Sequence, residues 1–210
     1  MGKIEITKKV LGICATNCYT VVDTETKEAL IIDPADRADV LIRDWKNKDV
    51  TPTTVLLTHG HFDHIGALAG VKKEYPDIKV YAAAEEKEVM ESPALNLSSS
   101  FGAAFTAQAD IYLEDGAEIE VLGRKCKCLL VPGHTKGGMC YYFPEEKVVF
   151  TGDTLFCYSV GRTDFPTGDA KALENAIREQ LFTLPDDTLV LPGHDAQTMI
   201  GKEKKGNPYF

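Results

Sequence analysis

Thr58-His59-Gly60-His61-Phe62-Asp63-His64 is the stretch on which the reading of this chain turns, because His59, His61, Asp63 and His64 lie within six residues. It leaves the run TTVLLT at 53–58, whose β-branched and apolar residues predict a buried strand. It leads into Ile65, Leu68, Ala69 and Lys72 at helical spacing, so it sits at a strand-to-helix junction. Side chains two apart in an extended segment point the same way, which pairs His59 with His61. The turn that follows brings Asp63 and His64 back toward them. Imidazole nitrogen and carboxylate oxygen are the ligand set of a zinc ion with an open, hydrolytic position, whereas closed structural zinc sites favour thiolate.

The chain has five histidines, and each stands at a strand end beside Gly, Thr or Asp. The two outside the motif are His134, in Pro132-Gly133-His134-Thr135, and His194, in Pro192-Gly193-His194-Asp195. Asp153 ends a further strand in Phe150-Thr151-Gly152-Asp153-Thr154. Taken singly, either histidine has an ordinary explanation as a satisfied core or surface residue, and Asp153 as a turn cap. An H-x-H-x-D-H run joined by two Gly-His strand ends and one Gly-Asp strand end is a constellation that coincidence does not account for.

Working outward, Ile4 to Ile6, Cys18 to Val22 and Ala29 to Ile32 read as strands of an antiparallel sheet. Residues 36–47 predict a helix through Val40, Leu41, Asp44 and Trp45, and IKVYAAAEEKEVMES predicts a second strand-helix unit. Residues 92–108 carry no charged side chain and read as a lid or an interface, with an ordinary connecting loop as the alternative. Strands resume around Glu114-Asp115-Gly116, whose Asp-Gly pair predicts a hairpin turn, and continue through CKCLLVPGH, MCYYF and KVVFTGD. Residues 169–181 predict an amphipathic helix with Asp169 as its N-cap, before the strand TLVLPGH. Two halves of one design emerge, which two sheets packed face to face with helices outside would satisfy. No repeat, linker or composition break divides residues 1–210, so one domain is expected.

Composition narrows the function. With 44% hydrophobic residues in 210, the chain can bury its own core without disulfides. A net charge of −9 excludes nucleic acid as the expected partner, since phosphate backbones require clustered Lys and Arg. No stretch approaches the roughly 20 apolar residues of a membrane span, and six scattered cysteines suit a reducing compartment, so a cytoplasmic protein acting on a small molecule is expected. Cys126 and Cys128, two apart in a strand, share one face and are expected to be buried.

The order HGHFDH, GHT, TGDT, PGH resembles the metallo-β-lactamase superfamily along nearly the whole chain. The resemblance implies an α/β protein, an αββα sandwich of two mixed sheets with helices outside. It implies two divalent metal ions, zinc first with iron or manganese as alternatives. His59, His61 and His134 would hold one, and Asp63, His64 and His194 the other. Asp153 would bridge them. Asp63 would also orient a metal-bridging hydroxide, formed from a water whose pKa such a site lowers toward about 7. Asp33 and Thr58 or Thr135 are expected to support the histidines from behind.

The segment Gly161 to Phe165 and the C-terminal Glu203 to Phe210 are similar to single-domain glyoxalase II-like hydrolases, which implies S-acyl thiol esters of the S-lactoylglutathione type as substrates. No counterpart of the helical C-terminal domain that supplies glutathione contacts in glyoxalase II is expected within residues 1–210. Arg162, Lys202 and Lys205 are the candidate substrate-binding cations, set against an Arg162 ion pair with Asp164 or Asp169 and a solvated surface for the lysines. The GRTDF segment also resembles persulfide dioxygenases, in which His59, His134 and Asp153 would hold a single iron. A non-catalytic binding scaffold is the third reading, and the retention of all seven ligands speaks against it.

Overall fold

The computed structural model describes residues 2–210. In the first half, β1 (Ile4–Leu11), β2 (Thr16–Asp23), β3 (Glu28–Ile32), β4 (Thr51–Leu56), β5 (Lys79–Ala83) and β6 (Ile111–Leu113) lie side by side in chain order. Helices α1 (Ala38–Asn47), α2 (Phe62–Ile65), α3 (Leu68–Glu74) and α4 (Lys87–Glu91) run between them. The second half adds β7 (Glu118–Val121), β8 (Arg124–Leu130), β9 (Met139–Phe143), β10 (Val148–Gly152), the small hairpin β11 (Leu155–Phe156) and β12 (Ser159–Val160), and helix α5 (Ala170–Ala176). It ends with β13 (Leu189–Pro192), β14 (Thr198–Met199) and α6 (Ile200–Gly206). Its sheet order is β14-β13-β10-β9-β8-β7.

Both sheets are mixed. β1 to β3 pair antiparallel, whereas β3 to β6 pair in parallel, which requires the helical crossovers. In the second sheet only β10 and β13 are parallel. The period-two alternation of each strand sorts residues into layers. Leu30 and Ile32 of β3 meet Tyr141 and Phe150 between the sheets, while Ala29 and Ile31 pack outward against Leu41 and Trp45 of α1. On the far side, Cys140, Val149 and Val190 pack outward against Leu173 and Ile177. The result is the expected αββα sandwich. Cys126 and Cys128 both point into its central layer and are fully buried.

Several local expectations meet a different outcome. Asp115-Gly116 does not close a hairpin, because β6 and β7 on either side of it belong to different sheets. The pair instead carries the chain across: Leu130 N–H donates to Asp115 Oδ1, and Gly116 N–H donates to the Cys128 carbonyl. The two-residue hairpin is Leu122-Gly123, with φ of 52° and 70°, joining β7 to β8. The helix expected after the HGHFDH motif divides into α2 and α3. Asp169 does cap α5, accepting from the Lys171 and Ala172 amides, and the helix continues through a π-helical turn over Ile177–Leu181. Among the described residues no helix is long and apolar enough to cross a membrane.

Candidate metal centre

The seven candidate ligands come from four strand ends. His59 and His61 follow β4, with Asp63 and His64 on the short α2, and His134 follows β8, Asp153 follows β10 and His194 follows β13. All lie beyond the carboxyl ends of their strands, where an open α/β sheet leaves a crevice. The glycines before Asp153 and His194 are explained by crowding. Gly152 has φ +50° with Thr58 Oγ1 2.2 Å from where a Cβ would stand. A Cβ on Gly193 would lie 2.3 Å from Asp153 Oδ1 and 2.7 Å from His64 Cε1.

The side chains form two triads that meet at Asp153. The ligand atoms of His59, His61 and His134 lie within 4.8 Å of one another, as do those of Asp63, His64 and His194, and those of His59, His64 and Asp153. His134 Nε2 faces His61 Nδ1 at 3.0 Å. Asp153 places Oδ2 3.6 Å from His134 Nε2 and 3.3 Å from His194 Nε2, and Oδ1 3.3 Å from His64 Nε2. His59 Nε2, His64 Nε2 and Asp153 Oδ1 are buried without a hydrogen-bond partner. Leaving a buried polar atom unpaired costs about 1–3 kcal/mol, so this donor set fits cations in its midst.

The electrostatics agree. Burial, reinforced by the neighbouring imidazoles, drives His59 well below the ordinary histidine pKa and His61 down to about 3, which leaves them as neutral ligands. Burial opposes charge on His64 as well, but Asp63, Asp153 and Asp33 outweigh it and hold its pKa well above the usual value. His194 is raised to about 9 against burial by Asp153 and Asp63. Asp63 is held at about 2, burial being outweighed by His64, His194 and Thr16. Protons on His64 and His194 occupy the place between carboxylates that a metal would take, so metal uptake must release them.

The atoms behind the ligands fix their tautomers. His64 Nδ1 pairs with Asp33 Oδ2 at 2.8 Å. Thr58 Oγ1 donates its one proton to the same Asp33 oxygen at 2.6 Å, so at 3.1 Å it accepts from His59 Nδ1 and turns the His59 Nε2 lone pair inward. His134 Nδ1 donates to the Arg162 carbonyl at 2.7 Å. Asp33 and Thr58 thus stand where the sequence placed them. Thr16, Asn17 and Glu86 were not singled out. Thr16 Oγ1 donates to Asp63 Oδ2 at 2.7 Å, and Asn17 Nδ2 donates to the carbonyls of Pro192 and Asp195 on either side of His194.

Glu86 has no exposed surface and ties two ligand loops together, accepting from Gly60 N–H at 2.8 Å and from Thr135 Oγ1 at 2.9 Å. Burial pushes its carboxyl up to about 7 while these donors pull it down. Glu86→Ala leaves a buried amide and a buried hydroxyl unpaired and is expected to lower stability by about 3 kcal/mol. Urea unfolding of the metal-free protein measures this, and a loss under about 1 kcal/mol would show that the two loops are held by other contacts.

The ligands open into a cavity of about 440 Å³ whose walls include Cys14, Phe62, Leu97, Phe101, Phe156 and Phe165. The uncharged 92–108 segment supplies one wall. It is pinned by Asn96, which is fully buried, with its Nδ2 donating to the Phe105 carbonyl and its own carbonyl accepting from Phe62 N–H. Arg162 also lines the cavity, but its guanidinium is paired with Asp164 through two 2.7 Å bonds and lies 3.9 Å over the Phe165 ring. Lys202 and Lys205 do not line it. They are exposed on α6, which turns Ile200 and Glu203 inward. Of the three expected substrate-binding cations, Arg162 thus stands at the cavity within an ion pair, and Lys202 and Lys205 stand away from it.

Comparison with known proteins bears on the same residues. The profile of the metallo-beta-lactamase superfamily matches residues 11–194. Hydroxyacylglutathione hydrolase GloC of Haemophilus influenzae is 36% identical over 200 residues, covering 92% of each chain. Among solved structures, the BLEG-1 B3 metallo-beta-lactamase superposes with a TM-score of 0.92 at 38% identity, covering 98% of this chain and 99% of that one. TTHA1623 in a di-iron-bound form superposes with a TM-score of 0.85 at 34% identity, covering 97% of this chain and all of the other. With its αββα sandwich and its His and Asp cluster at the strand ends, this chain belongs to the metallo-β-lactamase superfamily of metal-dependent hydrolases.

Proposed function

We propose that the protein hydrolyses S-acyl thiol esters with two divalent metal ions, zinc first among them. The observation that carries this reading is the pair of triads meeting at Asp153 beside an open cavity. Two ions so held supply a water with pKa lowered toward about 7 and a Lewis acid for the ester carbonyl. The chain's own groups do the rest. Asp63, fixed by Thr16 and His194 and held ionised, faces the cavity and accepts a hydrogen bond from the attacking water, which sets its direction. His59 and His134 keep a single tautomer through Thr58 and the Arg162 carbonyl, so no ring has to reorient as charge develops. Phe62, Leu97, Phe101 and Phe165 keep the cavity walls apolar, which strengthens every charge interaction inside it. The relative named as a hydroxyacylglutathione hydrolase and the neighbour solved with two irons support the ester class and the metal count. Six free cysteines support a reducing compartment.

The test joins metal analysis to turnover. Protein purified without chelator is expected to carry about two ions per chain and to release free thiol from S-lactoylglutathione or a simpler S-acyl thiol ester. One tightly bound iron with dioxygen uptake on a persulfide would replace this reading by the mononuclear dioxygenase. A folded protein that takes up no metal from solution would end both.

A further inference from the structure

A second cavity of about 330 Å³ adjoins the one that holds the candidate ligands, and the two share Phe62, Asp63 and Phe101 in their walls. The rims of this second cavity come from distant parts of the chain. Ile13, 78% exposed, stands on the turn between β1 and β2, and Phe101, 50% exposed, stands at the apex of the uncharged 92–108 segment. Phe62 on α2 stacks on Phe101 with ring centroids 4.5 Å apart and planes 18° from parallel. Phe105 completes the wall. A single exposed apolar side chain is ordinary, but apolar residues from three separate segments around one groove that borders the candidate metal centre mark a binding surface.

The charge of the groove narrows what it can bind. Its only ionisable lining groups are Asp36 and Asp63. In the metal-bearing cavity the one lining Lys or Arg is Arg162, already in a two-bond pair with Asp164, and Asp195 stands on another part of its wall. Apart from the metal-ligating Asp63, the groove itself offers an arm Asp36 and no Lys or Arg, so an arm bearing carboxylates would lose hydration there without gaining a cation.

We infer that the substrate carries an uncharged, apolar arm of about four carbons or more, lying along Ile13, Phe62 and Phe101. This rests on the thiol-ester reading and names its substrate class. The arm belongs either to the acyl group or to the thiol, and two ester series separate these sources. One lengthens the acyl chain from acetyl to hexanoyl on a fixed small thiol. The other lengthens an alkyl thiol on a fixed acetyl group.

In one series kcat/KM is expected to rise about two-fold per methylene, roughly 16-fold over the four methylenes, since a half-open groove captures part of the full transfer of each methylene. Replacing the terminal methyl by a carboxylate of equal length is expected to lower kcat/KM by at least about ten-fold. Ile13→Ser and Phe101→Ser are expected to flatten the rise, and both side chains are exposed enough for the variants to fold. Flat dependence in both series, or a carboxylate ester as good as its methyl counterpart, overturns the inference while leaving thiol-ester hydrolysis intact. No turnover of any ester by protein carrying its metals removes the thiol-ester reading and the inference together.

Discussion

Asp63→Ala is expected to lower kcat on a good S-acyl thiol ester by at least about 10²-fold, the scale of one preorganised electrostatic contact at a reacting centre. The side chain is largely shielded, held near pKa 2, and joined through one oxygen to Thr16, His64 and His194. Its removal takes the only carboxylate from the second triad and leaves the attacking water without direction. His59, His61 and His134 are untouched, so one ion is expected to remain. Circular dichroism should match the parent, and elemental analysis should show close to one metal per chain. Turnover at the parent rate with one metal lost would show that the chemistry belongs to a mononuclear site.

Asp33→Ala is expected to be the more damaging change to the fold. Asp33 is 1% exposed and adopts φ +50°, a conformation that disfavours an alanine. Its carboxylate accepts from Thr58 N–H at 2.8 Å and Thr58 Oγ1 at 2.6 Å, and pairs with His64 Nδ1 at 2.8 Å. Alanine strands three buried polar groups and leaves the charge on His64 without one of its counterions. Breaking such a buried pair from one side typically costs about 3–5 kcal/mol. Metal affinity at the second triad is expected to fall by about 10- to 100-fold, because His64 loses the partner that fixes its ring. Asp33→Asn should recover part of the stability, since its oxygen can still accept from the Thr58 amide. Its NH₂ then faces a hydroxyl and a ring nitrogen that no longer have a shared acceptor, so affinity should stay low. Urea unfolding without metal separates the two effects, and an alanine variant within about 1 kcal/mol of the parent would contradict the account.

The ligands were legible because their chemistry and their spacing coincide: His59 and His61 alternate on a strand, and a glycine precedes Asp153 and His194 wherever a Cβ would collide with the site. Asp33 was legible for a related reason, being a carboxylate where the apolar run of β3 stops. Glu86 was not, because it sits in the run Glu85-Glu86-Lys87-Glu88 and only the turn at Ala84–Glu86 decides which of these acids points inward. Thr16 and Asn17 open a strand, and nothing local shows that they reach Asp63 and the His194 loop. Asp115-Gly116 misled because a turn dipeptide specifies a bend but not whether the next strand stays in the same sheet. Arg162 is the converse case, since the acid two residues on that pairs with it was visible in the sequence.

The order of the ligands along the chain gives the site a history during synthesis. A ribosome that has released the chain through His134 has released a whole first triad, but only Asp63 and His64 of the second. Asp153 arrives with β10, and His194 arrives just after β13, which must add to the edge of β10 after a crossover through α5 before β14 can pair with it. Such distant pairings close slowly compared with local ones. The nascent protein therefore offers one complete imidazole cradle well before it offers two, and the bridging position between them is completed only by the late strands.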